Sequence, residues 1–183
     1  MKLYYYDQRK VTPFVKPVLI WNAHGDVQYT LEREKTLKPG YRLILCDANG
    51  EQIAAIRQKL AALHTTFLVQ IYGKELTVCL RRPMQGMPYC EISEFGWTAG
   101  GRFSVQREYE IRAGEQLIAC VHEPLSSGSQ PPDGLTFLAN AMRPRNPQFI
   151  KDDCCEIEFS DALAADELVA AVMAIEAAGV AAC

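Results

Sequence analysis

The sequence predicts an all-β protein, a closed antiparallel barrel of serial hairpins around one hydrophobic C-terminal helix. Three observations lead there. Four segments repeat one form, a β-rich run, a tight turn with glycine and a second β-rich run. Such hairpins leave exposed edge strands unless the sheet closes on itself. The last 16 residues, Leu168 to Cys183, are apolar except for Glu176, and a helix apolar on nearly every side must be surrounded. A barrel with the helix at its centre meets both needs within one domain spanning 1–183.

The hairpins come in chain order. They read VLIWNAHGDVQYTLE, YRLILCDANGEQIAAIRQK, FLVQIYGKELTVCLRR and EYEIRAGEQLIACVHE, with turns at His24-Gly25, Asn49-Gly50, Tyr72-Gly73 and Ala113-Gly114. Asn-Gly is the strongest of these signals, because both residues accept positive φ. A fifth, less regular unit, YCEISEFGWTAGGRFSVQ, carries Gly100-Gly101. Aligned on Gly50, Gly73 and Gly114, the units place Ile53, Leu76 and Leu117 three residues on, and Ile56, Cys79 and Cys120 six residues on. Cys79 and Cys120 therefore read as core residues in a slot that Ile fills elsewhere, and Cys46, in an apolar strand, reads the same way.

Two segments depart from the hairpin form. Pro124 to Pro147 is rich in Ser, Gly, Pro and Asn, and reads as a long loop insertion at about 124–150, with LTFLANAM docking on the domain. CCEIEFS then reads as a last strand. Cys154 and Cys155 face opposite ways there, which exposes one of them to oxidation. Glu156 and Glu158, alternating with Ile157 and Phe159, form a solvated face beside Asp152 and Asp153. The helix is expected over about 162–181, capped by Ser160 or Asp161, with Asp166 and Glu167 in its first turn. A membrane span needs roughly 20 predominantly apolar residues. This run is shorter and Ala-rich, carries Glu176 and has no Lys or Arg beyond it, so it reads as a core helix. Its Ala170, Ala171, Ala174, Ala177, Ala178 and Gly179 keep it slim. Glu176 is expected near an end of the barrel, within reach of water or a basic partner.

Hairpins followed by a terminal hydrophobic helix resemble the LURP-one-related family, in the tubby C-terminal-like superfamily that includes phospholipid scramblases. The stretches that carry the resemblance are LCDANGEQIAAIRQKL, EFGWTAGGRFSVQREYEIRAGEQLIACV and CEIEFSDALAADELVAAVMAIEA. It runs from about Val18 over nearly the whole chain and departs at the Pro-rich insertion. It implies a 12-stranded barrel threaded by the C-terminal helix. Tubby domains proper bind phosphoinositides through a basic surface cluster, and the resemblance implies no enzymatic activity.

Composition narrows the function classes. Net charge is −3, which gives no general affinity for nucleic acid. The chain through Arg82 holds 13 Lys/Arg and 7 Asp/Glu, the remainder 6 and 15, an asymmetry that suits an anion-binding face. The seven cysteines include no C-x-x-C pair. With no signal-peptide pattern in MKLYYYDQRK, the expected compartment is the cytoplasm, with peripheral membrane contact. His24, His64 and His122 have no metal-ligand spacing, and no P-loop, G-x-S-x-G or G-x-G-x-x-G occurs, so no catalytic, metal or cofactor site is expected. The one cluster with a mechanism is basic. Lys35, Lys38 and Arg42 lead into the second hairpin, Arg57 and Lys59 end it, and Lys74, Arg81 and Arg82 belong to the third, with Glu32, Glu34 and Glu51 interleaved. Arg forks and Lys point charges suit phosphate. The expected function is a non-catalytic domain for an anionic phospholipid or phosphoinositide headgroup. The alternatives are a protein-interaction scaffold working through the 124–150 loop and, third, an uncharacterised enzyme. Oligomeric state is left open.

Overall fold

Period-2 alternation broken by turns is what an antiparallel meander demands, and the sheet follows it strand by strand. The computed structural model describes residues 2–7, 14, 16–35, 37, 39–103, 107–122 and 154–182. The strands are β1 (Lys2–Asp7), β2 (Val18–Asn22), β3 (Val27–Arg33), β4 (Arg42–Asp47), β5 (Gln52–Lys59) and β6 (Thr65–Ile71). They continue as β7 (Lys74–Arg81), β8 (Tyr89–Ile92), β9 (Trp97–Arg102), β10 (Glu108–Ala113), β11 (Gln116–His122) and β12 (Cys154–Phe159). Each of the twelve pairs antiparallel with its neighbours in sequence, and β12 pairs with β1 to close the barrel. The Tyr72-Gly73 turn has positive φ at both residues (46° and 76°), which matches the right-handed twist of the flanking strands.

The helix α1 (Ala165–Ala181) fills the barrel. Every residue from Leu168 to Gly179 is buried, on all faces of the helix. Its slim face matters most at Gly179, where a Cβ would lie 2.4 Å from the Phe103 carbonyl oxygen. The helix is fastened at both ends. Tyr29 Oη donates to Asp166 Oδ1 at 2.7 Å, Tyr72 Oη donates to Asp166 Oδ2, and Lys74 pairs with Glu167 at 2.9 Å. At the other end Arg82 donates to the carbonyl of Ala182 at 3.0 Å, a cation at the negative pole of the helix dipole.

Several local expectations are corrected. The helix starts at Ala165, behind Ala164, with no side-chain cap; Ser160 Oγ instead accepts from the Ala162 amide, holding the preceding turn. In the fifth unit the turn is Ser93–Gly96, and Gly100-Gly101 lies inside β9. Gly101 is needed for close approach, since a Cβ there would sit 2.3 Å from the Glu108 carbonyl oxygen. Ile56 faces the core, but Cys46 and Cys79 are only partly buried and lie outside it, and Cys120 is buried on the outer face. Four residues separate β4 from β5 but two separate β6 from β7, and the β10–β11 register shifts at Ile111/Arg112. Equal offsets from a turn glycine therefore reach different faces.

The largest correction concerns β12. All six of its residues are buried. Cys154 and Cys155 are both buried, and Glu156 and Glu158 are 2% and 4% exposed rather than solvated. Alternation tells which face a residue is on, not whether that face meets water. The 124–150 loop and its LTFLANAM segment lie outside the described residues.

Candidate functional site

Strand direction sorts the connections into two ends. β1 runs towards Asp7, β3 towards Arg33, β5 towards Lys59 and β7 towards Arg81, all at one end, where the C-terminus of α1 also lies. The segments 34–41, 60–64 and 82–88 are successive connections at that end. The turns at 23–26, 48–51, 72–73, 93–96 and 114–115 lie at the other end, with the start of α1.

The two ends differ in chemistry. Around the helix start the described residues include Asp26, Asp47, Glu51, Glu94, Glu115, Asp161, Asp166 and Glu167, against Lys2, Lys74 and Arg112. At the opposite end the exposed charged residues among those described are Lys16, Arg33, Lys35, Lys59, Arg82 and Arg102, against Glu34 and Glu108. It also carries the most exposed large apolar side chains described, Leu37 at 107%, Met84 at 105% and Leu63 at 94%, with Leu60 and Met87 beside them. One such residue stands on each of three consecutive connections, so the exposure is a property of this end and not scatter. The 34–41 connection is braced on β5: the Tyr41 amide donates to Gln58 Oε1 at 3.2 Å and the Gln58 amide to the Tyr41 carbonyl at 2.8 Å.

The basic residues singled out in the sequence divide between wall and ends. Arg42 and Arg57 are direct cross-strand neighbours on the outer wall, each beside a carboxylate: Glu34 at 3.6 Å and Glu75 at 3.4 Å. Arg81 binds Glu91 at 2.8 Å, which pushes its already high pKa higher still. Lys35, Lys59 and Arg82 stand at the apolar end, after or at the ends of β3, β5 and β7. Lys74 sits at the acidic end with Glu167, away from the others. Lys38 lies outside the described residues.

A second cluster escaped sequence reasoning. The β11–β12 register sets His122 opposite Glu156 and Cys120 opposite Glu158, on the outer face. His122 Nε2 lies 3.8 Å from Glu156 Oε1 and 3.8 Å from Glu158 Oε2. Beside it, Cys120, its thiol pushed up to about 12 by burial and by Glu110 and Glu158, helps line a pocket of about 290 Å³ with Glu158, Ile118 and Phe159. His122 and Glu156 are 34 positions apart, so no local motif could announce them. The apolar end was more accessible, because alternate connections of a meander share an end and Leu37, Leu63 and Met84 sit in alternate connections.

Among the described residues no helix is long and apolar enough to cross a membrane. The chain matches no protein-family model, no curated protein and no solved structure.

Proposed function

We propose that this protein is a non-catalytic domain that docks on anionic phospholipid bilayers through the barrel end formed by 34–41, 60–64 and 82–88. The carrying observation is the coincidence of Leu37, Leu63 and Met84, each almost fully exposed on consecutive connections, with Lys35, Lys59 and Arg82 beside them. Burying such an aliphatic side chain contributes about 1.5–3 kcal/mol when complete, and a cation near an anionic surface about 1 kcal/mol. Neither alone holds a protein on a membrane; two cooperating signals do. The resemblance to tubby-like domains, whose relatives bind phosphoinositides, points the same way.

The test is co-sedimentation with vesicles of phosphatidylcholine alone and with added phosphatidylserine or phosphoinositide, across a salt series. Binding should require the anionic lipid and weaken with salt. Replacing Leu63 and Met84 by Ser should reduce it at every salt concentration, and reversing Lys35, Lys59 and Arg82 to Glu should abolish it. No pelleting at low salt overturns the proposal. A protein-interaction domain without lipid ligand is the competing reading. It is favoured by the wall of the barrel, where Arg42, Arg57 and Arg81 each face a carboxylate and leave a mixed-sign surface.

A further inference from the structure

We propose that His122, Glu156 and Glu158, on the outer face of β11 and β12, form a binding site for a divalent first-row transition-metal ion. Two carboxylates two residues apart on one strand face are 2% and 4% exposed, with the His122 imidazole between them and both of its contacts at 3.8 Å. Glu158 Oε1 is buried and accepts no hydrogen bond, while its Oε2 is directed at the imidazole. The three donor atoms lie within 4.8 Å of one another. Ligands held at about 2.0–2.2 Å around one ion lie roughly 3–3.5 Å apart, so the 3.8 Å separations from Nε2 need a few tenths of an ångström of closure and the two carboxylates, within 4.8 Å, need a side-chain rotation of about an ångström.

The donor set selects the class of ion. One imidazole and two carboxylates suit Zn²⁺, Mn²⁺ or Co²⁺, whereas Ca²⁺ and Mg²⁺ favour oxygen-only shells. Three protein donors leave room for a water ligand, and the pocket along Glu158 and Cys120 adjoins the site. The cross-strand pair fixes His122 against Glu156 through the sheet itself, which holds these two side chains on a rigid support.

The experiment uses the full chain stripped with chelator, then titrated calorimetrically with Mn²⁺ and separately with Zn²⁺, with thermal unfolding followed with and without metal. One ion per chain and a metal-dependent rise in melting temperature are expected. Glu158→Gln and His122→Gln, both close in shape to the native side chains, should each weaken binding tenfold or more and remove that rise. The melting temperature without metal checks that each variant is folded, and either variant suffices. Co²⁺ should give weak d–d bands without thiolate charge-transfer absorption. Absence of stoichiometric binding, affinity unchanged in folded Glu158→Gln or His122→Gln, or thiolate bands that assign the ion to cysteines would each overturn the site.

Discussion

Glu176 of the central helix forms an ion pair with Arg107, which precedes β10, inside the barrel and out of reach of water. Glu176 is 1% exposed and also accepts a hydrogen bond from Tyr109 Oη at 2.9 Å. The basic partner expected from the sequence is Arg107, and both side chains are buried. Burial pushes the Glu176 carboxyl above its usual range, and Arg107 opposes that push without cancelling it. Burial, and then Glu176 itself, hold the Tyr6 and Tyr109 hydroxyls well above theirs. Burial lowers the Arg107 pKa, but Glu176 and its neighbours outweigh that and raise it, so the buried pair ties the rotation of the helix to the barrel wall.

Removing one partner is therefore predicted to be far worse than removing both. Glu176→Ala leaves the Arg107 charge without this carboxylate and should cost about 3–5 kcal/mol. The double replacement Arg107→Leu with Glu176→Leu should recover most of that loss. Urea denaturation of the single and double variants measures both. A double variant no more stable than Glu176→Ala would show that the pair is worth more than its burial costs.

Gly179 should reverse the usual helix rule. In a solvated helix interior Gly→Ala stabilises by about 1 kcal/mol. Here a Cβ would meet the Phe103 backbone oxygen at 2.4 Å, an approach that no side-chain rotation relieves. Gly179→Ala is expected to lower the melting temperature, and a rise would mean that helix and wall are not in this contact.

The hydrogen bonds onto Asp166 predict an alkaline limb. The Tyr72 hydroxyl, bonded to Asp166, has its pKa pushed up to about 12, first by that bond and then by burial. The folded state keeps this proton where the unfolded chain, with an ordinary tyrosine value near 10, gives it up. The contribution is complete below about pH 10 and is lost as pH rises to about 12. Asp166→Asn should move the Tyr72 titration, read from tyrosinate absorbance, back towards pH 10. An unmoved titration would remove Asp166 as the cause.

These residues show what a sequence can and cannot carry. The hairpin form, four of the turns and the central helix were legible because β-rich runs, Asn49-Gly50 and the Ala-rich run are local signals, whereas the count of twelve strands came from the resemblance and β1 (Lys2–Asp7) was not read as a strand. The face of Cys79 was not, because it depends on the length of the turn before it. Glu156 and Glu158 looked solvated because alternation carries no information about what covers an outer face. Their meeting with His122 follows from the register of two strands remote in sequence. The basic residues of the second and third hairpins looked like one cluster, yet strand direction sends Lys74 and Arg82 to opposite ends of the helix.

The contrast between the helix and the apolar barrel end gives the last prediction. Ala174 is fully buried and Leu63 is 94% exposed, so one replacement, by Arg, should have opposite outcomes at the two sites. At Ala174 it forces a long cation into a core packed on every side, and no soluble folded protein is expected. At Leu63 it meets water, and stability should stay within about 0.5 kcal/mol of the original. Expression, circular dichroism and urea denaturation of the two variants make the comparison. A folded Ala174→Arg protein would displace the helix from the barrel's centre. A strongly destabilised Leu63→Arg protein would mean that Leu63 packs within the fold, and would withdraw it from the proposed docking surface.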